Sequence, residues 1–253
     1  VGKVIAPYMF LKMRETVRRA DYALYVTNEF LQNRYPCKNK SIAASNVLIE
    51  NVDESILDKR LKKILEADYK HITLMTTAAI DVKYKGQAFV IRAIPLLNKM
   101  GIRVRYLVVG EGDASYLKGV AKTCSVEDQV EFTGRLALEE VFELIDQTDI
   151  YIQPSLQEGL PRSVIEAMSR ACPAIGAKTA GIPELLSTEC VVERKSVSGI
   201  AETIQLISNA EKMTELAKLN FENSKEYLDD VLTKRREDYF SYVVSNLKET
   251  KSI

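Results

Sequence analysis

From residue 71 onward, short apolar runs alternate with longer stretches whose apolar residues recur every three or four positions. The short runs read as buried strands and the longer stretches as amphipathic helices. Strands are expected over residues 71–76, 103–109, 130–132, 150–152, 174–175 and 190–192. Helices are expected over 85–100, 114–124, 139–145 and 163–171, with a short one starting at 183–186. In the first of these, Ala88, Ile91, Ala93, Ile94 and Leu97 form the inward face. Gly101 supplies its stop, and Pro95 inside it predicts a kink. This alternation predicts an α/β fold, a doubly wound, Rossmann-like parallel sheet covered on both faces. Ligands of such sheets lie outside the carboxyl ends of the strands. Segments 110–113, 133–136 and 154–162 fall there.

Before residue 71 the repeat fails. A helix over 10–19, a strand over 23–26 and a helix over 29–34 are followed by a turn at Ser45-Asn46-Val47. Residues 53–65 read as a polar helical linker, and residues 228–247 as a last amphipathic helix.

Charge changes this picture little. Lys plus Arg and Asp plus Glu stand at 35 each in 253 residues, so no overall field favours nucleic acid. Residues 1–40 hold eight basic side chains against three acids, a local excess of +5. A solvated basic helix accounts for that excess, with peripheral contact at an anionic membrane as the alternative. Cys37, Cys124, Cys172 and Cys190 lie too far apart for a C-x-x-C pair, so neither a disulfide framework nor a metal site is expected. His71, the one histidine, reads as structural. No apolar stretch reaches the length of a membrane span, and no signal-peptide pattern follows Val1, which points to the cytoplasm. The chain opens on Val rather than Met, so a piece of a longer protein is expected.

The chemistry concentrates in Glu158-Gly159-Leu160-Pro161-Arg162-Ser163-Val164-Ile165-Glu166. Two carboxylates stand eight residues apart around a Gly-Pro loop and a helix start. Amides at a helix start receive phosphates, and carboxylates accept hydrogen bonds from sugar hydroxyls. A capping role for Glu166 competes, because Ser163-Val164-Ile165-Glu166 also matches a capping box. Gly110-Glu111-Gly112 is a poor dinucleotide fingerprint, since Ser115 stands where the third glycine belongs.

The nine-residue run resembles the acid-x7-acid signature of retaining family 4 glycosyltransferases, enzymes of GT-B architecture. The resemblance is specific over residues 70–190 and topological elsewhere. It implies that Glu158 and Lys85 are the catalytic pair. Glu158 would take the donor sugar's hydroxyls, and Lys85, of Lys85-Gly86, would contact the diphosphate. Gly159 and Leu160 would offer backbone N–H groups, and Glu166 would hold the ribose diol. Gly110, Gly112, Arg135 and Leu136 would border the nucleotide. The family's additional arginine is absent, with Ala79 and Ile80 in its place. Arg162 is the better substitute cation, and Lys83 the other.

The resemblance further implies residues 1–68 as the tail of an N-terminal acceptor domain and its hinge. Residues 69–227 would be the donor-binding domain and residues 228–253 a crossover helix. The implied activity is retaining transfer from a UDP-, GDP- or ADP-sugar to a glycan or lipid-linked acceptor in bacterial polysaccharide synthesis, without metal or cofactor. The acceptor would sit in the missing part, leaving the isolated fragment inactive. A nucleotide-sugar epimerase of the same architecture and a non-catalytic nucleotide-sugar-binding subunit are the alternatives.

Overall fold

The computed structural model describes residues 2–50 and 52–250, without the side chains of residues 2–4 and 248–250. Val1, Asn51 and residues 251–253, which the expected first and last segments include, lie outside the described residues.

The N-terminal part forms α1 (Gly2–Arg19), β1 (Ala23–Tyr25), α2 (Phe30–Arg34) and β2 (Ser41–Ala43). Strands β1 and β2 pair in parallel, Ala23 opposite Ser41 and Tyr25 opposite Ala43. Strand β2 is absent from the sequence reading: three half-buried residues give no periodicity. The chain then enters α3 (Glu54–Leu65), whose start is capped by the Asp53 carboxylate accepting from Ser55 N–H at 2.7 Å.

The main body follows as β3 (His71–Thr77), α4 (Gln87–Lys99), β4 (Arg103–Val109), α5 (Ser115–Thr123), β5 (Val130–Gly134), α6 (Leu138–Gln147) and β6 (Ile150–Gln153). Then come α7 (Arg162–Ser169), β7 (Ala174–Ala177), β8 (Val191–Val192), α8 (Val197–Ile207), α9 (Ala210–Ser224) and α10 (Asp229–Thr250). Among the described residues the main sheet has six parallel strands, in the order β5-β4-β3-β6-β7-β8. That order is the doubly wound arrangement predicted from the alternation. Helices α4, α5 and α8 pack together on one face, and α3, α6, α7 and α9 on the other.

Two details correct the expectations. Helix α4 starts at Gln87, not Lys85: Gly86 adopts φ +82° and separates a 3-10 turn over Lys83–Lys85 from the helix. Pro95 lies within α4, which continues past it to Lys99. Helix α3 is not merely a polar linker. It packs on α9, burying Ile64 and Arg60, the latter only 3% exposed. Arg60 Nη2 donates to Ile145 O at 2.8 Å, Nη1 to Thr148 O, and Nε to Arg170 O at 3.3 Å. These carbonyls belong to the last turns of α6 and α7, the negative ends of both helix dipoles. A buried cation is therefore matched by buried acceptors. Lys63 adds an ion pair with Asp149.

Helix α10 ties the two parts together. Leu232 is fully buried in the main core, while the Tyr239 hydroxyl lies 2.9 Å from both Ala23 O and Lys40 O. Arg235 and Arg236 donate to Ala43 O and Ser45 O. From the loop after β7, the Glu184 carboxylate accepts from Asn28 N–H at 2.6 Å and Phe30 N–H at 2.7 Å, with Glu29 N–H at 3.3 Å. It thus satisfies amides that open α2 from more than 150 residues away in sequence.

Candidate functional site

Strands β3 and β6 lie side by side and parallel, the chain continuing from β3 to β4 on one side and from β6 to β7 on the other, and between them the ladder is short. Only Leu74–Ile150 and Met75–Tyr151 are paired in register. Beyond that point hydroxyls carry the connection. Thr76 Oγ1 donates to Ile152 O at 2.6 Å, and Thr77 N–H donates to the Tyr151 hydroxyl at 3.1 Å. The strands part here, and the loops after them, 78–86 and 154–161, form the walls of a crevice.

These loops are stitched together. Leu156 N–H donates to Tyr84 O at 2.7 Å, and Ser155 Oγ lies 3.4 Å from Lys85 O. Gly86 permits the contact: a Cβ there would lie 2.1 Å from Pro154 O. The result brings Lys85 Nζ to 2.7 Å from Glu158 Oε1. Both side chains are largely buried, 23% and 11% exposed, so the pair is shielded from solvent. Gln153 Nε2 also donates to Glu158 Oε1, at 3.2 Å.

The crevice has a volume of about 370 Å³, and Lys85, Glu158, Leu160, Arg162 and Glu166 line it with Asn46, Thr77, Gln153, Pro161 and Ser163. Larger grooves lie elsewhere. One of about 580 Å³ runs across the N-terminal ends of β3, β4 and β5. Its charged walls are already occupied by Arg103–Asp128 and Arg105–Glu131 pairs. Volume does not choose the site here; convergent chemistry does.

Five expected site residues therefore meet. Leu160 contributes through its backbone, because its side chain is buried against the Gly181 turn. Gly159 sits beside it, its carbonyl accepting from Gly181 N–H at 2.9 Å. Gly110, Gly112, Arg135 and Leu136 stand at the carboxyl ends of β4 and β5, outside this lining. Gly110 lets the turn close on the neighbouring loop, since a Cβ there would lie 2.1 Å from Ala78 O. Arg135 is 80% exposed and lies 3.7 Å from Glu111, a surface pair worth little. Leu136 packs against the core.

The capping explanation of Glu166 does not apply. Helix α7 begins at Arg162 with Pro161 as its N-cap, and no side chain caps it. Ser163 instead hydrogen-bonds Gln153 Oε1 at 3.2 Å, leaving the Glu166 carboxylate facing the crevice. Burial pushes the Glu166 carboxyl above its ordinary value of 4.5, with the Arg162 guanidinium opposing that shift. Of the two candidate cations, Arg162 lines the crevice, whereas Lys83 Nζ lies 4.7 Å from the Tyr116 ring centroid. Ile80, where the family's arginine would stand, is a core residue at 5% exposure.

A pH dependence follows. The folded chain holds the Glu166 proton to higher pH than the unfolded chain does. This group's contribution to stability is therefore greatest below about 4.5 and declines as pH rises through the raised value. Urea midpoints of Glu166→Gln and the parent chain should diverge above that window, the Gln variant being the more stable. Equal midpoints from acid to neutral pH would contradict it.

Gln153, Thr77 and Glu184 have no site role in the sequence reading, and Asn46 has only a place in a turn. Gln153 carried a signal: it interrupts an apolar run immediately before Pro154. Glu184 carried none, because its partners lie in another part of the chain. Among the described residues no group of three His, Cys, Asp or Glu side chains could hold a metal ion, and no helix is long and apolar enough to cross a membrane.

The model of the family described as "Glycosyl transferases group 1" matches residues 71–209. The chain belongs to this family. Protein CapJ of Staphylococcus aureus is 30% identical over 207 residues, covering 80% of this chain and 50% of that protein. The amylovoran biosynthesis glycosyltransferase AmsK of Erwinia amylovora is 30% identical over 131 residues, 49% of this chain and 32% of that protein. This family member thus spans half or less of the length of these relatives. In fold it is similar to Anabaena Alr3699/HepE in complex with UDP-glucose. That likeness has a TM-score of 0.73 at 17% identity, over 94% of this chain and 70% of the other. The α/β parallel-sheet architecture is that of GT-B glycosyltransferases.

Proposed function

We propose that this chain carries the donor site of a retaining glycosyltransferase. It would bind a UDP-, GDP- or ADP-sugar for transfer to a glycan or lipid-linked acceptor in bacterial polysaccharide assembly. The observation that supports this most is the shielded Lys85–Glu158 pair in the crevice, with Arg162, Glu166 and the uncapped start of α7 beside it. Here the two charges satisfy each other. A diphosphate gives Lys85 a stronger anionic partner and frees the Glu158 carboxylate to accept from the sugar hydroxyls. The first-turn amides of α7 and Arg162 then face the remaining phosphate oxygens. Glu166, at the far side of α7's first turn, would accept from the ribose diol.

Retention follows from the family resemblance rather than from a nucleophile in the crevice. The departing phosphate would take the acceptor's proton as the acceptor attacks the same face of the sugar. The amylovoran biosynthesis glycosyltransferase AmsK supports the biosynthetic setting by name. HepE, solved with UDP-glucose, supports the donor class.

Calorimetric titration of the chain with UDP, GDP, ADP and their glucose or mannose conjugates tests the proposal. Binding of one series, weakened roughly tenfold or more in Glu158→Ala for the sugar conjugate, is the expected outcome. No binding of any of them, or a Glu158→Ala variant indistinguishable from the parent chain, would sink it.

A further inference from the structure

We propose that Gln153 is a positioning residue that aims the Glu158 carboxylate at the donor's sugar, and so sets how strongly the site prefers a sugar nucleotide to the bare nucleotide. The inference rests on the donor-site reading above and adds to it a source of discrimination.

Gln153 closes β6 and is 1% exposed, too deep for water to serve its amide. Its Nε2 donates to Ser155 Oγ at 2.8 Å and to Glu158 Oε1 at 3.2 Å. Its Oε1 accepts from the Tyr151 hydroxyl at 3.1 Å and from the Ser163 hydroxyl at 3.2 Å. A primary amide has two N–H donors and two carbonyl lone pairs, and here all four are used. The orientation is forced. An ionised carboxylate only accepts, so the NH2 end must face Glu158, and the two hydroxyls must donate to the other end.

The row behind Gln153 is equally directed. Thr77 N–H donates to the Tyr151 oxygen at 3.1 Å, and Tyr151 passes its own O–H to Gln153. Burial pushes the Tyr151 phenol far up, so it remains a donor at any working pH. Each bond in such a row polarises the next, and all of them point toward Glu158. Three elements supply the row: β3 through Thr77, β6 through Tyr151 and Gln153, and α7 through Ser163.

Both bonds to Glu158 land on Oε1, from Lys85 and from Gln153. Among the described residues, Oε2 takes no hydrogen bond, which leaves it for a sugar hydroxyl. Once a diphosphate draws Lys85 away, Gln153 is the remaining donor that fixes the carboxylate. Without it the carboxylate keeps its charge but loses its direction. The loss then falls on contacts to the sugar and spares those to the phosphates.

Gln153→Met keeps length and removes every polar contact. Parent chain and variant are titrated with UDP, UDP-glucose, GDP and GDP-mannose, with circular dichroism to establish that the variant is folded. The expected result is a bare-nucleotide affinity within about twofold of the parent, with the sugar nucleotide weakened roughly tenfold. A folded variant whose two affinities fall together, or whose preference is unchanged, overturns the role of Gln153 while leaving the donor site standing. A parent chain that binds none of the four removes the donor-site reading and this inference with it. Should Gln153→Met fail to fold, the side-chain NH2 signals of Gln153 in the parent chain are followed by NMR instead. Movement on adding UDP-glucose beyond that caused by UDP supports the role, and identical movement with both overturns it.

Discussion

Gly86→Ala lowers the unfolding free energy by roughly 2–5 kcal/mol, the sum of a left-handed backbone and an overpacked contact. The residue sits at φ +82°, and an added Cβ would lie 2.1 Å from Pro154 O and 3.3 Å from Pro154 Cβ. The obstacle is backbone, so no side chain can turn aside to relieve it. Either loop 83–86 or loop 154–156 must move, which breaks the bond from Leu156 N–H to Tyr84 O and carries Lys85 away from Glu158. Nucleotide binding should be lost along with stability. Gly101 offers the control. It has the same φ, +82°, yet nothing lies within 4 Å of its Cβ position. Gly101→Ala should therefore cost only about 1 kcal/mol, the conformational share, and leave ligand binding intact. Urea denaturation and calorimetry of the two variants separate strain from collision. Equal losses at the two positions would refute the collision.

Arg60→Ala is expected to cost about 2–3 kcal/mol, a large part of a typical domain's stability. The truncation leaves the carbonyls of Ile145, Thr148 and Arg170 without the guanidinium, in a place that water does not reach freely. Arg60→Lys should recover part of the loss, because an ammonium brings the charge without the planar fork. Urea midpoints measure both. A loss under about 1 kcal/mol for Arg60→Ala would mean that these helix ends are satisfied some other way.

Arg60 also shows where sequence reading stops. Counted as polar, it made residues 53–65 look like a solvated linker, yet it is among the most buried side chains of α3. Its partners are backbone carbonyls, which have no signature in the sequence. The β/α alternation from residue 71 was legible because strands buried on both faces are apolar runs that punctuate the chain. Strand β2 was not, since Ser41–Ala43 is short and half-buried throughout. Residues 197–224, which form α8 and α9, were left without elements although their helical spacing is present. Of the residues that line the crevice, Glu158 and Glu166 were legible because two carboxylates around a Gly-Pro loop are conspicuous, whereas Lys85 came from the family resemblance. The Gly86 turn was misjudged as helix because its left-handed φ is a response to Pro154, about 70 residues further on. Gln153 was passed over since an amide at a strand end has no meaning until its four neighbours are known.

The Glu184 carboxylate has a mechanical consequence. It fastens the amides of Asn28, Glu29 and Phe30 to the loop that follows β7, while Asn46, further along the same N-terminal part, reaches the crevice wall. Helix α10 makes the second attachment through Ala23, Lys40, Ala43 and Ser45. Moving one part across the other therefore requires breaking bonds at two separate places, one of them adjacent to Asn46.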